Sequence, residues 1–261
     1  MSGLQKYPIS VVVLTKNEEK RLDDCLRSVS WASDIVVLDD CSVDQTKAIA
    51  EKHKARFFER KMDIEGRHRN FGYALAREKW VLSLDADERV TPELAEEIKK
   101  AVLKDDASVN GYGAIRKNYI GDFWIRHGGW YHHHVLKLFR RDKFSYGEEE
   151  VHPPAFMEGA VIPLKGDLIH YSYRDFSDFV SKLNRQTTLE ATKWFRTGRK
   201  MTLSHALRRT VDRFFRSWIV KRGYKDRFVG FMVAIFAGLY QILSYAKYWE
   251  MKRGENAMKE R

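Results

Sequence analysis

The sequence predicts an α/β fold, a mostly parallel sheet with helices on both faces, continued by a helical C-terminal region. Three observations carry this. Short β-branched and aliphatic runs alternate with segments of helical period, the pattern of parallel strands joined by crossover helices. Each of the first runs ends in polar or acidic residues. Beyond about Phe176 strand patterning stops, and the rest reads as helix.

Ile9 to Leu14 is unbroken and apolar, as expected of a strand covered on both faces, and Thr15-Lys16-Asn17-Glu18-Glu19 is the polar loop after it. Leu22, Cys25, Leu26 and Val29 share one helix face. Asp34 to Leu38 is a second strand, stopped by Asp39-Asp40; the next helix is expected from Asp44 to Lys54, with Asp44 and Thr46 as capping types. Arg56 to Glu59 reads as a short strand and Arg67 to Lys79 as a helix. Trp80 to Leu84 is a third buried strand ending in acids, and Pro92 to Leu103 a charged helix. From Gly111 to Tyr173, strand pieces (Tyr112 to Arg116, Leu136 to Phe139, Leu168 to Tyr171) alternate with loops rich in Gly, Trp and His. The expected division is a catalytic domain over 1–175 and a basic and hydrophobic helical region over 176–261.

An apolar content of 44% excludes a disordered chain, and a net charge of +11 points to anionic partners. The two cysteines, Cys25 and Cys41, have neither CxxC nor metal-ligand spacing, which fits a reducing cytosolic compartment. Met1 to Pro8 is polar and runs into a strand, unlike a signal peptide. His132-His133-His134 is not read as a zinc site, because consecutive residues of an extended segment point to alternating sides.

Open α/β sheets bind ligands beyond the carboxyl ends of their strands, where Thr15 to Glu18, Asp39-Asp40 and Asp85 to Glu88 all fall. Asp85-Ala86-Asp87 offers two hard carboxylates to one cleft, a layout suited to Mg²⁺ or Mn²⁺ with a diphosphate; alone, such a pair also suits a turn. Asp39-Asp40-Cys41-Ser42-Val43-Asp44-Gln45-Thr46 has the form DDxSxDxT. With Thr15-Lys16-Asn17-Glu18 before it and Asp85-Ala86-Asp87 after it, the sequence resembles glycosyltransferase family 2, of GT-A (Rossmann-like) fold, over about the first 170 residues.

The resemblance implies a nucleotide-sugar donor, a UDP-sugar, and assigns roles. Thr15 and Glu18 border the nucleoside, Asp40 contacts the base, and Asp39 supports that loop or the ribose. Arg67, Arg69 and Asn70 lie beside the nucleotide, Asp85 faces ribose and metal, and Asp87 ligates the metal with the late histidine, His170, as companion. Cys41 is read as a packing variant, and Lys16 stands where relatives often have an aromatic. Gly147 to Pro153 takes the place of the acidic catalytic segment, with Glu149 and Glu150 as candidates for the base that deprotonates the acceptor, and His152 in reserve.

Between Lys193 and Arg227 stand twelve Lys or Arg against Asp212 and Asp226, with aromatics interleaved, as on a surface for anionic lipid headgroups. No nucleic-acid motif accompanies them. Phe228 to Ala246 is uncharged, about 28 Å as a helix, with Gly230, Ala234 and Gly238 spaced for close helix approach. Both flanks are basic, which favours a helix hairpin in the cytoplasmic leaflet, or packed in an oligomer, over a full span. The expected protein is a metal-dependent inverting hexosyltransferase, peripheral or monotopic on the inner face of the cell membrane. Its acceptor would be a glycolipid or lipid-linked envelope glycan such as lipopolysaccharide core. A polyprenyl-phosphate transferase and a non-catalytic membrane module are the alternatives. Sugar-nucleotide synthesis is disfavoured, since Thr15 to Glu19 has no glycine.

Overall fold

The computed structural model describes residues 5–131, 133–148 and 154–259, with side chains to residue 255. The chain divides into two compact units, 1–116 with 132–170, and 117–131 with 171–261.

The first unit begins with β1 (Tyr7–Thr15), α1 (Leu22–Ser28), β2 (Ala32–Asp39), α2 (Thr46–Lys52), β3 (Arg56–Glu59), α3 (Glu65–Ala74) and β4 (Trp80–Asp85). Then come β5 (Glu88–Val90), α4 (Pro92–Lys104), β6 (Val109–Ile120), whose last residues belong with β7 (Phe123–Trp124) to the second unit, and β8 (His134–Arg140). β9 (Phe144–Tyr146), β10 (Ala155–Met157) and β11 (Ala160–Tyr173) complete the strands. Nine strands form one sheet in the order β3-β2-β1-β4-β8-β6-β11-β5, with β7 on β6, while β9 and β10 pair separately. The run β3-β2-β1-β4 is parallel; β8 joins β4 antiparallel, so the sheet as a whole is mixed.

Alternation explains the unbroken apolar run of β1. Ile9, Val11 and Val13 pack with Leu22, Cys25 and Leu26 of α1 and with Leu94 and Ile98 of α4. Val12 turns to the other face, with Val36, Val81, Tyr73 and Phe139. On that face α3 sits so close that a Cβ on Gly72 would lie 3.0 Å from Val12 Cγ1 and 3.1 Å from Leu38 Cδ2. The helix expected from Arg67 to Lys79 instead runs over Glu65–Ala74. It stops because Ser10 Oγ and Asp34 Oδ2 capture the amide of Arg77, and Ser10 Oγ also that of Glu78. α4 starts as its sequence implies, with Thr91 Oγ1 accepting from Leu94 N and Pro92 in the first turn.

In the second unit, α5 (Phe176–Arg196), α6 (Leu203–Phe215) and α7 (Arg227–Lys259) form a helical layer. Asp175 and Thr202 cap the first two. α6 and α7 make an antiparallel hairpin, linked by one π-helical turn over 216–220 and a short 3₁₀ turn. Gly238 of α7 lies against Thr210 and Phe214 of α6, the close approach its spacing predicts. The core holds Phe179 and Leu183 of α5 with Val233 and Phe236 of α7. Asp226, buried, accepts the amides of Arg126 and His127 and pairs with His127 Nδ1 at 2.7 Å, tying 126–127 to the foot of α7.

Candidate functional site

Three loops meet where β1, β2 and β4 end side by side. Thr15 is paired in register with Asp39, and Leu14 with both Leu38 and Asp85. Thr15 Oγ1 donates to Asp39 Oδ1 (2.7 Å), and Asp39 Oδ2 accepts from the amide of Ser42 (2.6 Å). Asp39 therefore supports the loop. The turn it holds passes through Cys41 at φ 52°, in the left-handed region. Cys41 is exposed, which corrects its reading as a packing residue: the position is set by the turn rather than by a core.

Asp40 is nearly buried and accepts from Lys16 Nζ (2.6 Å) and from Met62 N (2.7 Å). Burial pushes its pKa upward, but the Lys16 ammonium and the Met62 amide outweigh this and hold it below the ordinary carboxylate value. His68 of α3 is fully buried nearby, with Nδ1 3.1 Å from Arg60 and Nε2 without a partner. Asp44 Oδ1 accepts from the amide of Thr46, the first residue of α2, as a capping type does, while Gln45, next to the helix, makes no side-chain bond. Thr46 Oγ1 accepts from Glu18 N, and Asp44 Oδ2 from Glu19 N, which fastens 18–19 to the second loop. Glu18 is engaged on both oxygens by Arg21.

At the end of β4, Asp85 Oδ1 accepts from Arg69 Nη2 (2.9 Å), and Lys137 Nζ lies 3.6 Å from Oδ2. Burial pushes this carboxyl upward, yet Arg69, Lys137 and Arg116 together hold it well below the usual range. Glu88 is not a free neighbour of the pair, as its place in the sequence suggests. It lies in β5, completely buried, with Lys137 Nζ at 2.6 Å and Arg116 Nη2 at 2.9 Å, and it accepts the amide of Asp85. Arg89, also buried, donates to the carbonyls of Ala86, Glu88 and Arg21, so the Asp85–Asp87 turn is held by backbone contacts.

Asp87 differs from these acids. Its Oδ1 is buried without a hydrogen bond and faces His170 Nε2 at 3.6 Å; its Oδ2 is 3.8 Å from Arg21. His170 reaches it because β11 pairs antiparallel with β5, setting His170 opposite Glu88. A separation of 3.6 Å is too long for a hydrogen bond. It still lets both atoms reach one ion through bonds of about 2.1 Å. Burial raises the Asp87 carboxyl, but His170 and, more weakly, Arg21 leave it below its ordinary value. Asp87 and His170 thus fit a divalent ion. Among the described residues no third His, Cys, Asp or Glu joins them.

The other predicted residues are placed as follows. Arg67 pairs with Asp63 and, at 2.7 Å, with Glu148. Asn70 spends its amide on the backbone of Tyr146, donating to O and accepting from N, and so fixes the strand before the acidic segment. Glu149, Glu150 and His152 lie outside the described residues; their segment joins β9 to β10. Arg21, Arg69, Arg116 and Lys137 neutralise the cluster. Only Arg69 was legible beforehand, although Lys137, a charge inside the apolar Leu136–Phe139 run, was a usable signal.

A mixed sheet whose parallel strands gather acids at their carboxyl ends, one of them beside an imidazole, defines an α/β protein with a polar cleft at that edge. The chain belongs to glycosyl transferase family 2, whose family model matches residues 10–157. It is 24% identical to the lipopolysaccharide core biosynthesis glycosyltransferase LpsC of Rhizobium meliloti (strain 1021), over 95% of this chain and 94% of that protein. It is 32% identical over 111 residues to the poly(ribitol-phosphate) beta-N-acetylglucosaminyltransferase TarS of Staphylococcus aureus (strain Mu50), covering 38% of this chain and 18% of that one. The solved structure of S. aureus TarS overlaps with a TM-score of 0.42 at 16% identity, over 84% of this chain and 45% of that one.

Proposed function

We propose that the chain moves a hexose from a UDP-sugar, with inversion, to a membrane-linked envelope acceptor of the lipopolysaccharide-core kind. The observation that carries this is Asp87 Oδ1, buried without a hydrogen bond and facing His170 at the end of β4, beside Asp40 and Asp85, which Lys16 and Arg69 engage. Asp87 and His170 would hold Mg²⁺ or Mn²⁺, which would supply Lewis-acid stabilisation of the departing diphosphate. Asp40 accepts from the base, after Lys16 turns away from it. Thr15 and Asp39 hold the loop against the nucleoside. Arg69 keeps Asp85 ionised and oriented, and Arg67 stands near the acidic segment, where a guanidinium pairs well with phosphate. An acceptor hydroxyl oxygen attacks the anomeric carbon, the bond from that carbon to the diphosphate breaks, and Glu149 or Glu150 takes the hydroxyl proton.

Membrane association is part of the proposal. α6 exposes Leu203, Leu207, Val211 and Phe215 along one stripe, continued by Ile219 and Val220. Arg208, Arg209 and Arg216 stand on the adjoining face, the layout of a helix lying in a lipid interface. α7 is the one described helix long and apolar enough to cross a membrane, with mean hydropathy 1.7, and 39% of its apolar window is buried inside the protein. The exposed apolar stripe of α6 is the proposed inserted surface.

A donor screen monitored by nucleotide release, with a lipid-linked acceptor and Mn²⁺, tests the reading. Asp87→Ala should lower turnover on the order of 10³-fold, the weight of several kcal/mol of charge stabilisation. Glu149→Gln or Glu150→Gln should lower it about 10²-fold or more. Equal turnover in wild type and Asp87→Ala, or no release with any donor, would sink it.

A further inference from the structure

A cavity of about 310 Å³ opens in the helical unit, away from every residue assigned above. Tyr173, Phe179, Phe236 and Tyr240 give it aromatic walls, Gln241 lies at its floor, and Gln186 and Arg213 stand at its exposed rim. Gln241 is 5% exposed, and its Oε1 is buried with no hydrogen-bond partner. A buried amide oxygen without a donor costs about 1–3 kcal/mol. An alkyl group alone does not relieve it; a hydroxyl or an amide N–H does.

The rim has a second property. Arg213 also lines a neighbouring cleft of about 250 Å³ with His205, Arg208, Arg209, Asp212 and Arg216. The single carboxylate there, Asp212, is drawn to Arg216 at 3.5 Å. Among the described residues Arg208, Arg209 and Arg213 have no ion pair or side-chain hydrogen bond. Burial, then Arg199, Arg213 and Arg208, hold Arg209 below its ordinary value, and the one opposing carboxylate, Glu190, does not offset them. The Tyr240 phenol, pushed up to about 12 chiefly by burial, stays a hydrogen-bond donor throughout the physiological range.

From this juxtaposition we infer that the helical unit binds one anionic amphiphile, a phosphorylated lipid with a hydroxyl or amide N–H near its headgroup. The phosphate sits on Arg213 and Arg209, the first carbons of the chain run along the Phe179–Phe236–Tyr240 wall, and the donor meets Gln241 Oε1. The site is independent of the transfer reaction, and it would stand if the donor or the acceptor were assigned wrongly.

Calorimetric titration of the full chain with 1-octanoyl-lysophosphatidate below its micellar concentration tests it, with glycerol 3-phosphate and inorganic phosphate as arms that lack the chain. The amphiphile should bind at least tenfold more tightly than either. Arg213→Gln should weaken all three ligands. Gln241→Leu should weaken the amphiphile at least tenfold while leaving the melting temperature of the ligand-free protein unchanged or higher, because an unpaired acceptor has been removed; a structural glutamine would lower it. Should Gln241→Leu fail to fold, Ala237→Phe carries the same test by filling the cavity: amphiphile affinity falls at least tenfold and that for glycerol 3-phosphate does not. Equal affinity for amphiphile and glycerol 3-phosphate, unchanged amphiphile affinity in the folded cavity variant, or no binding by wild type would overturn the proposal.

Discussion

The two units handle charge in opposite ways. In the sheet unit the acids at the strand ends are matched: Glu88 by Lys137 and Arg116, Asp85 by Arg69, Asp40 by Lys16, Glu18 by Arg21. Asp87 Oδ1 is the exception. In the helical unit arginines crowd one face of α6 beside exposed leucine, valine and phenylalanine, with few acids among them. A matched, mostly buried network fixes the geometry of the strand ends. An unmatched basic face beside apolar surface draws a partner that is itself anionic and apolar.

The sharpest way to break the comparison is to unbalance the sheet unit. Glu88→Ala leaves Lys137, itself buried, without its closest partner. Removing one member of a buried pair costs about 3–5 kcal/mol, which urea unfolding should show. A loss under about 1 kcal/mol would mean the network is as dispensable as surface pairs. The matching experiment on the helical unit is Arg208→Gln with Arg216→Gln. At about 1 kcal/mol per basic side chain at an anionic surface, flotation with phosphatidylserine vesicles should weaken roughly 30-fold, and folding should not change. Vesicle binding insensitive both to these changes and to salt would remove the electrostatic half of the contrast.

Two smaller effects sharpen the picture. Asn70→Ala deletes two bonds to the Tyr146 backbone and should cost about 1–2 kcal/mol by urea unfolding, with a larger proportional loss of turnover if the 144–148 stretch positions the acidic segment. Loss of stability with turnover retained would confine Asn70 to the fold. His68 gives the smallest signal. Burial, reinforced by Arg60, holds its imidazole below the usual histidine value. A depressed folded value means the unfolded chain takes up the proton first, so this contribution is intact above about pH 6.5 and is lost as pH falls towards the folded value. The melting temperature should drop between pH 7 and 5.5 more steeply in wild type than in His68→Asn; identical slopes would show that His68 does not titrate in that window.

What could be read from sequence follows from locality. β1, β2 and β4 were legible because residues covered on both faces leave unbroken apolar runs, and the acids after them stood out against that background. Their shared location followed from the rule for parallel sheets. The pairing of Glu88 was not legible because it depends on Lys137 and Arg116, brought to it from β8 and β6 by antiparallel pairings that no local pattern encodes. The early stop of α3 depends likewise on Ser10 and Asp34, more than forty residues away in sequence. Asp44 and Thr46 have the composition of a helix cap, and only the fold shows them fastening the Glu18–Glu19 backbone. In the helical unit the glycine spacing of α7 carried its meaning alone, whereas the unpaired Gln241 is invisible until its neighbours are in place.

The central claim is that Asp87 and His170 hold a divalent ion for a nucleoside diphosphate. UDP binding measured by calorimetry with and without Mn²⁺, in wild type, Asp87→Asn and His170→Ala, tests it most directly. Mn²⁺ should tighten UDP binding at least tenfold in wild type, and both variants should lose that gain while keeping the metal-free affinity. The same gain from Mn²⁺ in Asp87→Asn as in wild type would contradict the account.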